Sequence, residues 1–301
     1  MLGYIMVGLD GSSESRAAAE WAAREAKLRG LPLRLVHVWE PVPEPMAQAP
    51  LLGPETLQHW SERIPRETAE GLQSRHPGVD VNAVHLTGLP GDVLVDVARD
   101  AELVVLGSRG LSGIGGFMVG SVGQAVIART EVPVVLVRAS EQAVDEHTMD
   151  PAGIPSAATP FRAVLLGLDT RSLDDMVITF AFEEAACRDT ALRVLHAWTA
   201  PPYNIYGLSD HVSLYDELAR EYAAELTEAL RPWRHKYPAV EVIEASSAGS
   251  AADQLANASR DASLVVVGRR IRRSRFGVHI GPVAHAVLHH AVAPVAVVAH
   301  A

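Results

Sequence analysis

The sequence contains a single cysteine, Cys187, so it can form no intramolecular disulfide and no cysteine-based metal cage, and its thiol usage fits a reducing compartment. No apolar stretch approaches the roughly 18 to 20 residues needed to span a bilayer, which excludes a transmembrane segment. A basic leader is also missing: Met1-Leu2-Gly3-Tyr4-Ile5-Met6-Val7 runs straight into Gly8-Leu9-Asp10-Gly11, a strand and a turn, so the expected location is the cytoplasm. Positive charge is in deficit, with 26 Lys and Arg against 36 Asp and Glu, and the net charge of −10 repels nucleic acid and anionic membrane; neither is expected as a partner. The chain has no Walker A Gly-Lys-Ser or Gly-Lys-Thr and no G-x-G-x-x-G after its first strand, so the commonest nucleotide motifs are absent. What remains is ordinary for a globular protein, 48% hydrophobic and 21% charged, and 301 residues suggest two domains, each able to bury a core.

The chain repeats itself. Val7-Gly8-Leu9-Asp10 returns as Leu166-Gly167-Leu168-Asp169, and Leu35-Val36-His37-Val38-Trp39 returns as Val194-Leu195-His196-Ala197-Trp198, both at an offset of 159. Leu103-Val104-Val105-Leu106-Gly107 matches Leu264-Val265-Val266-Val267-Gly268, and Val132-Pro133-Val134 matches Ala293-Pro294-Val295, at an offset of 161. Residues 139–160, acidic and proline-bearing with little apolar periodicity, read as a linker between domains at 1–138 and 161–301.

Each half alternates β-branched runs with segments of helical period, the pattern of parallel strands joined by crossover helices. Strands are expected near Tyr4 to Leu9, Leu33 to Trp39, Val79 to Leu86, Glu102 to Leu106 and Val134 to Val137. Their counterparts lie near Ala163 to Leu168, Leu192 to Trp198, Val240 to Ala245, Ser263 to Val267 and Val295 to Val298. Ala19, Ala22, Ala23 and Ala26 have the spacing of a buried helical stripe, and their counterparts Ile178, Ala181, Phe182 and Ala185 are apolar as well.

In an open α/β sheet, ligands sit beyond the carboxyl ends of the strands. After the fourth strand comes Gly107-Ser108-Arg109-Gly110, then nine residues, then Gly120-Ser121-Val122 opening a helix that runs to about Arg129. Glycines let backbone N–H groups approach an anion, and a helix N-terminus adds free donors and partial positive charge, so the pattern G-x2-G-x9-G-S fits a phosphate site. The same residues also fit a surface loop followed by a capping serine. Asp10 has the same duality, because aspartate forms turns and caps helices without any ligand.

Taken together, Val7-Gly8-Leu9-Asp10-Gly11-Ser12, His37-Val38, the Gly107, Gly110, Gly120, Ser121 spacing and the closing Val132-Pro133-Val134-Val135 resemble the universal stress proteins in their tandem two-domain form, over nearly the whole chain. The resemblance implies two doubly wound, Rossmann-like α/β domains, each a five-stranded parallel sheet of order 3-2-1-4-5 with helices on both faces. It implies an adenine-nucleotide site for ATP, with or without Mg²⁺. By position, Asp10 faces the adenosine part, Val38 offers main-chain groups to adenine, and Gly107, Ser108, Arg109, Gly110, Gly120, Ser121 and Val122 hold ribose and phosphates; Gly8 is counted with them. In single-domain relatives the last strands pair between chains. Here the copies are therefore expected to pair with one another as an intrachain pseudo-dimer, open to further homodimerisation. A linker of about 20 residues reaches up to roughly 66 Å, ample for that arrangement.

The second copy departs from the pattern. Ile271 stands at the second glycine position, and Pro282 replaces the serine after Gly281, removing an N–H and a hydroxyl. Arg269, Arg270, Arg272, Arg273 and Arg275 crowd its loop, as an anion-attracting patch or as a solvated charge run. His285 and His289, four apart on the last helix with His290 beside them, offer two metal ligands on one face, against the alternative of surface or packed histidines. No catalytic triad can be assembled, and Gly120-Ser121-Val122-Gly123 is not a nucleophile elbow. The leading expectation is a cytosolic ATP-binding module of stress response or signalling, not an enzyme. The alternatives are a weak ATPase or phosphotransferase, which would need a Mg²⁺ carboxylate and a water-orienting group, and a nucleotide-independent scaffold.

Overall fold

The structure is a computed structural model that describes residues 3–41, 54–110, 117–118, 120–199, 211–271 and 280–301, with the backbone alone at 54–60, 109–110, 117–118 and 211–214. The chain divides into two compact units that change over between Gln142 and Ala143.

In the first unit the elements run β1 (Ile5–Leu9), α1 (Ser13–Arg29), β2 (Leu33–Trp39), α2 (Pro54–Arg75), β3 (Val81–Thr87), α3 (Pro90–Ala98), β4 (Leu103–Gly110), β5 (Phe117–Met118), α4 (Ser121–Arg129) and β6 (Val134–Arg138). The sheet order is β3-β2-β1-β4-β6, all parallel, with the short β5 antiparallel to β4. The second unit repeats the plan with β7 (Ala163–Gly167), α5 (Asp175–Cys187), β8 (Leu192–Trp198), α6 (His211–Lys236), β9 (Val242–Ala248), α7 (Ala251–Ala258), β10 (Ala262–Arg270), α8 (Pro282–His290) and β11 (Val295–His300). Its parallel order is β9-β8-β7-β10-β11. Both units therefore have the expected 3-2-1-4-5 winding.

The helical stripes lie where their spacing put them. Ala19, Ala22, Ala23 and Ala26 are at most 1% exposed, and Ile178, Ala181, Phe182 and Ala185 are fully buried. α1 starts where the Ser12 hydroxyl accepts from the Ser15 N–H at 3.1 Å and stops at Gly30, whose left-handed backbone (φ 65°) closes the last turn. α5 is capped by Asp174, whose Oδ1 accepts from Met176 N–H at 2.9 Å.

In the second unit β9 runs on to Ala248 and β10 to Arg270, past the expected Ala245 and Val267, and two further differences bear on the site and the domain boundary. β4 does not end at Leu106 but continues through Gly107-Ser108-Arg109-Gly110, because β6 keeps offering it partners (Gly107↔Val137, Ser108↔Arg138) and β5 takes up Arg109↔Met118 and Gly110↔Phe117. A glycine at a strand end does not stop a strand while the neighbouring ladder continues. Of residues 139–160, read as linker, 143–160 are folded within the second unit: a 3-10 turn at Ala143–Glu146, bridges His147↔Phe161 and Met149↔Pro155, and a turn in which Asp150 Oδ1 accepts from Ala152 and Ile154 N–H. Arg162 fastens this stretch by donating to the His147 and Arg260 carbonyls at 2.9 and 2.7 Å. Polar composition reads as linker, yet here the polar groups satisfy one another locally.

Candidate nucleotide site

The first unit's site begins where β1 runs out. β1 pairs with β2 as far as Leu9↔His37 and with β4 only as far as Val7↔Val105, so beyond these pairs the strands part. This is the topological switch point, where the chain leaves β1 on one side and β4 on the other and a crevice opens. Asp10, exposed, stands at its lip. Its Oδ1 accepts from the Ser12 N–H at 3.0 Å and from the Ser12 hydroxyl, which in turn receives the Ser15 N–H. Asp10 thus builds the turn that launches α1, as a turn former does, and its carboxylate remains exposed to the crevice.

Gly107 ties the fourth strand to that turn. A Cβ there would lie 2.4 Å from the Glu14 carbonyl carbon and 2.7 Å from the Ser15 nitrogen. Only glycine lets the first turn of α1 press against β4, and this contact brings the Asp10 turn and the glycine motif together. Gly8 has a comparable packing role, since its Cβ would fall 2.6 Å from Leu106 Cδ2.

Ser108 is turned away from the crevice: it is 1% exposed and its hydroxyl donates to the Val137 carbonyl at 3.3 Å. Arg109 and Gly110 lie on β4 opposite Met118 and Phe117, and the Arg109 side chain is outside the described residues, as are 111–116 and 119. At the far side of the motif, Gly120 is the N-cap of α4 with no side-chain cap, and its carbonyl accepts from Gln124 N–H at 2.9 Å. Ser121 is exposed, Val122 half-buried, and a Cβ on Gly120 would meet nothing within 4 Å. Among the described residues no side chain caps the first turn of α4, and its N–H groups at the positive end of the helix suit a phosphate oxygen.

Val38 presents its main chain. Leu33 donates to Asp80, and Trp39 accepts from Gly88, so odd-numbered residues of β2 bond toward β3 and even-numbered ones toward β1. The Val38 carbonyl therefore points past the end of β1, where an amino group of a base would be met.

One site element escaped the sequence reading as to its role. His37, buried, sets Nδ1 2.8 Å from the Leu9 carbonyl and so seals the end of β1; His196 does the same to Leu168 at 3.1 Å. The signal was there, a histidine at one offset in both copies. His37 also lies beside His85, with ring centroids 5.6 Å apart. Burial, and then the neighbouring His37, push the His85 imidazole below its ordinary pKa, while its Nε2 rests 2.8 Å from Ser61 Oγ. Separately, a cavity of about 350 Å³ lies between α1 and α2, lined by Gly11, Arg16, Glu20, Ile64 and Arg75 among others; none of the ten motif residues lines it.

The second unit keeps the frame without the donors. Gly281 caps α8 as Gly120 caps α4, but Pro282 occupies the first helical position, and Ile271 N–H is engaged by the His300 carbonyl at 2.6 Å. Arg269 is 3% exposed and Arg270 donates to Ser172 Oγ at 2.5 Å, so these two cations are built into the fold; Arg272, Arg273 and Arg275 lie outside the described residues. Asp169, like Asp10, forms a turn, accepting from Arg171 N–H at 3.1 Å. No helix among the described residues is long and apolar enough to cross a membrane.

The sequence model of the Universal stress protein family matches the chain twice, over residues 1–138 and 160–299. A universal stress protein of Mycobacterium tuberculosis H37Rv is 32% identical over 308 residues, covering 97% of this chain and 96% of that protein. One from Mycolicibacterium smegmatis is 30% identical over 300 residues, covering 98% and 96%. Among solved structures, a universal stress protein from Archaeoglobus fulgidus superposes with a TM-score of 0.68 at 16% identity, covering 99% of this chain and 98% of the other, which shows a common fold.

Proposed function

The chain belongs to the universal stress protein family, and from that we propose that its first unit binds an adenine nucleotide, ATP, and that the protein acts as a nucleotide-dependent stress-response or signalling module, by binding and not by turnover. The observation that carries this reading is the N-terminus of α4, a glycine cap followed by an exposed Ser121. The residues fit the nucleotide in kind. The first-turn N–H groups and the Ser121 hydroxyl would hold phosphate oxygens, the Val38 main chain would take the base, and Asp10 would face the sugar hydroxyls.

Titration calorimetry of the full chain with ATP, ADP and AMP tests the reading. The expected stoichiometry is near one ATP per chain, held by the first unit, because Pro282 and Ile271 leave the second without the donors. Two equivalent sites, or none, would overturn it. Gly110→Val should abolish ATP binding in a folded protein, since a β-branched side chain beside the loop would fill the phosphate space. Unchanged affinity in that variant would remove the loop from the site. A turnover assay on the same samples is expected to show no ATP hydrolysis above background.

A further inference from the structure

The second unit's last helix carries a feature that the first unit's counterpart lacks. α4 and α8 correspond position by position, Ser121–Arg129 against Pro282–His290, and the apolar residues that pack on the sheet are kept, Val126 as Val287 and Ile127 as Leu288. The outward positions are not kept: Gln124, Ala128 and Arg129 have become His285, His289 and His290. The helix that lost its phosphate donors has thus gained imidazoles.

Two of those imidazoles converge. His285 and His289 stand one turn apart, with Nε2 atoms 3.3 Å from each other and ring centroids 4.4 Å apart at an interplanar angle of 48°. His285 is exposed and His289 half-buried, so the pair lies at the protein surface, within reach of an ion in solution. Two imidazole nitrogens bound to one ion at about 2.0 to 2.1 Å, with a ligand angle between square and tetrahedral, lie about 2.9 to 3.4 Å apart. The observed separation falls in that interval, so the two nitrogens are spaced for one ion. In the absence of an ion the same distance suits a hydrogen bond from one neutral Nε2–H to the other nitrogen, and metal binding at both Nε2 atoms would move that proton to Nδ1 of the same ring. Among the described residues, no group of three or more His, Cys, Asp or Glu is placed to hold a metal, so the proposal rests on the pair alone.

We propose that His285 and His289 form a bidentate surface site for a divalent transition-metal ion of the copper, nickel and zinc group. Paired imidazoles select these borderline ions over Mg²⁺ and Ca²⁺, which take oxygen ligands, and the affinity order should run copper above nickel and zinc. The site is independent of the nucleotide reading, for it lies on the unit whose loop has lost the phosphate donors and uses neither ATP nor its residues.

The experiment is calorimetry of Ni²⁺ and Zn²⁺ against the full chain without nucleotide, beside His285→Ala, His289→Ala and His290→Ala. Loss of either member of the pair should weaken the tightest Ni²⁺ site at least about tenfold, because the second bond of a chelate is intramolecular. His290→Ala, whose ring centroid is 6.5 Å from that of His289, should change affinity less than about twofold. All three positions are on the outward side of a packed helix, so the variants should keep the circular dichroism of the parent. With one equivalent of Cu²⁺, the electron paramagnetic resonance spectrum should show two nitrogen ligands, reduced to one by His289→Ala. Absence of binding to the parent, or unchanged affinity in the doubly substituted His285→Ala, His289→Ala protein, would overturn the proposal. So would an effect of His290→Ala equal to that of its neighbours, which would indicate general histidine binding.

Discussion

Gly107→Ala is expected to destabilise the first unit by about 3 kcal/mol or more, whereas Gly268→Ala, the same change at the same place in the second unit, should cost under about 1 kcal/mol. The difference lies in what the new methyl meets. At Gly107 it would overlap backbone, 2.4 Å from the Glu14 carbonyl carbon and 2.6 Å from its oxygen, and a helix turn cannot step aside without losing its place on the sheet. At Gly268 the nearest atoms all belong to side chains, His300 Cδ2 and Nε2 at 3.0 and 3.1 Å and Val177 Cγ2 at 3.3 Å, and side chains can give by a few tenths of an ångström where a helix backbone cannot. For a unit of this size the first change corresponds to a fall in melting temperature of roughly 10 °C. Denaturant melts of the two variants beside the parent measure it. Equal losses would mean that α1 does not press on β4 as described. Since the Asp10 turn rides on that contact, ATP affinity should fall in Gly107→Ala and stay unchanged in Gly268→Ala.

The second large effect is expected from Ser121→Pro, which writes the second unit's residue into the first. Proline lacks the N–H and brings no hydroxyl, so two donors to phosphate disappear; at about 1.5 to 3 kcal/mol for each hydrogen bond to a charged group, ATP affinity should drop roughly 100-fold. The fold should tolerate the change. Proline is at home at the first helical position, and Gly120, with φ −63° and ψ 164°, already has the extended backbone that a residue before proline requires. The second unit is the precedent, where Gly281 precedes Pro282 with φ −58° and ψ 155°. Affinity by calorimetry and stability by denaturant melt should therefore separate: large loss in the first, within about 0.5 kcal/mol in the second. Retained affinity would show that the helix N-terminus does not hold the phosphates.

Much of this was legible in the sequence because it rests on periodicity. The apolar stripes of α1 and α5 and the winding of ten strands follow from repeats that burial enforces in both halves. What was not legible depends on partners distant in the chain. β4 runs on to Gly110 because β6 reaches Arg138 beside it, which no local property of Gly107-Ser108 reveals. Ser108 sits in the motif by spacing, yet its hydroxyl donates to the Val137 carbonyl, 29 residues on in the sequence and invisible to a pattern. The stretch 143–160 has the composition of a tether, and only the mutual pairing of Thr148 with Pro160 and Arg162 with Glu146 shows it to be folded. The histidine at the end of β2 was visible as a repeated letter, while its task, closing the last carbonyl of β1, depends on how β1 and β2 lie side by side in the fold.

The notch near the end of each unit's first strand bears on how the two halves should be compared. At Gly8 the space of the missing side chain is filled chiefly by Leu106, with Leu94 behind it at 3.5 Å; at Gly167 it is filled by Leu255, the counterpart of Leu94, which has moved in to 2.7 Å. The position of Leu106 is held in the second half by the smaller Val267. A lost methylene on one wall has been made good by an advance of the opposite wall. Residue-by-residue identity counts this as a mismatch, although the volume is conserved. Two duplicated halves can thus diverge in letters while trading atoms across the same gap, and their common ancestry is better preserved in how space is shared than in which residues share it.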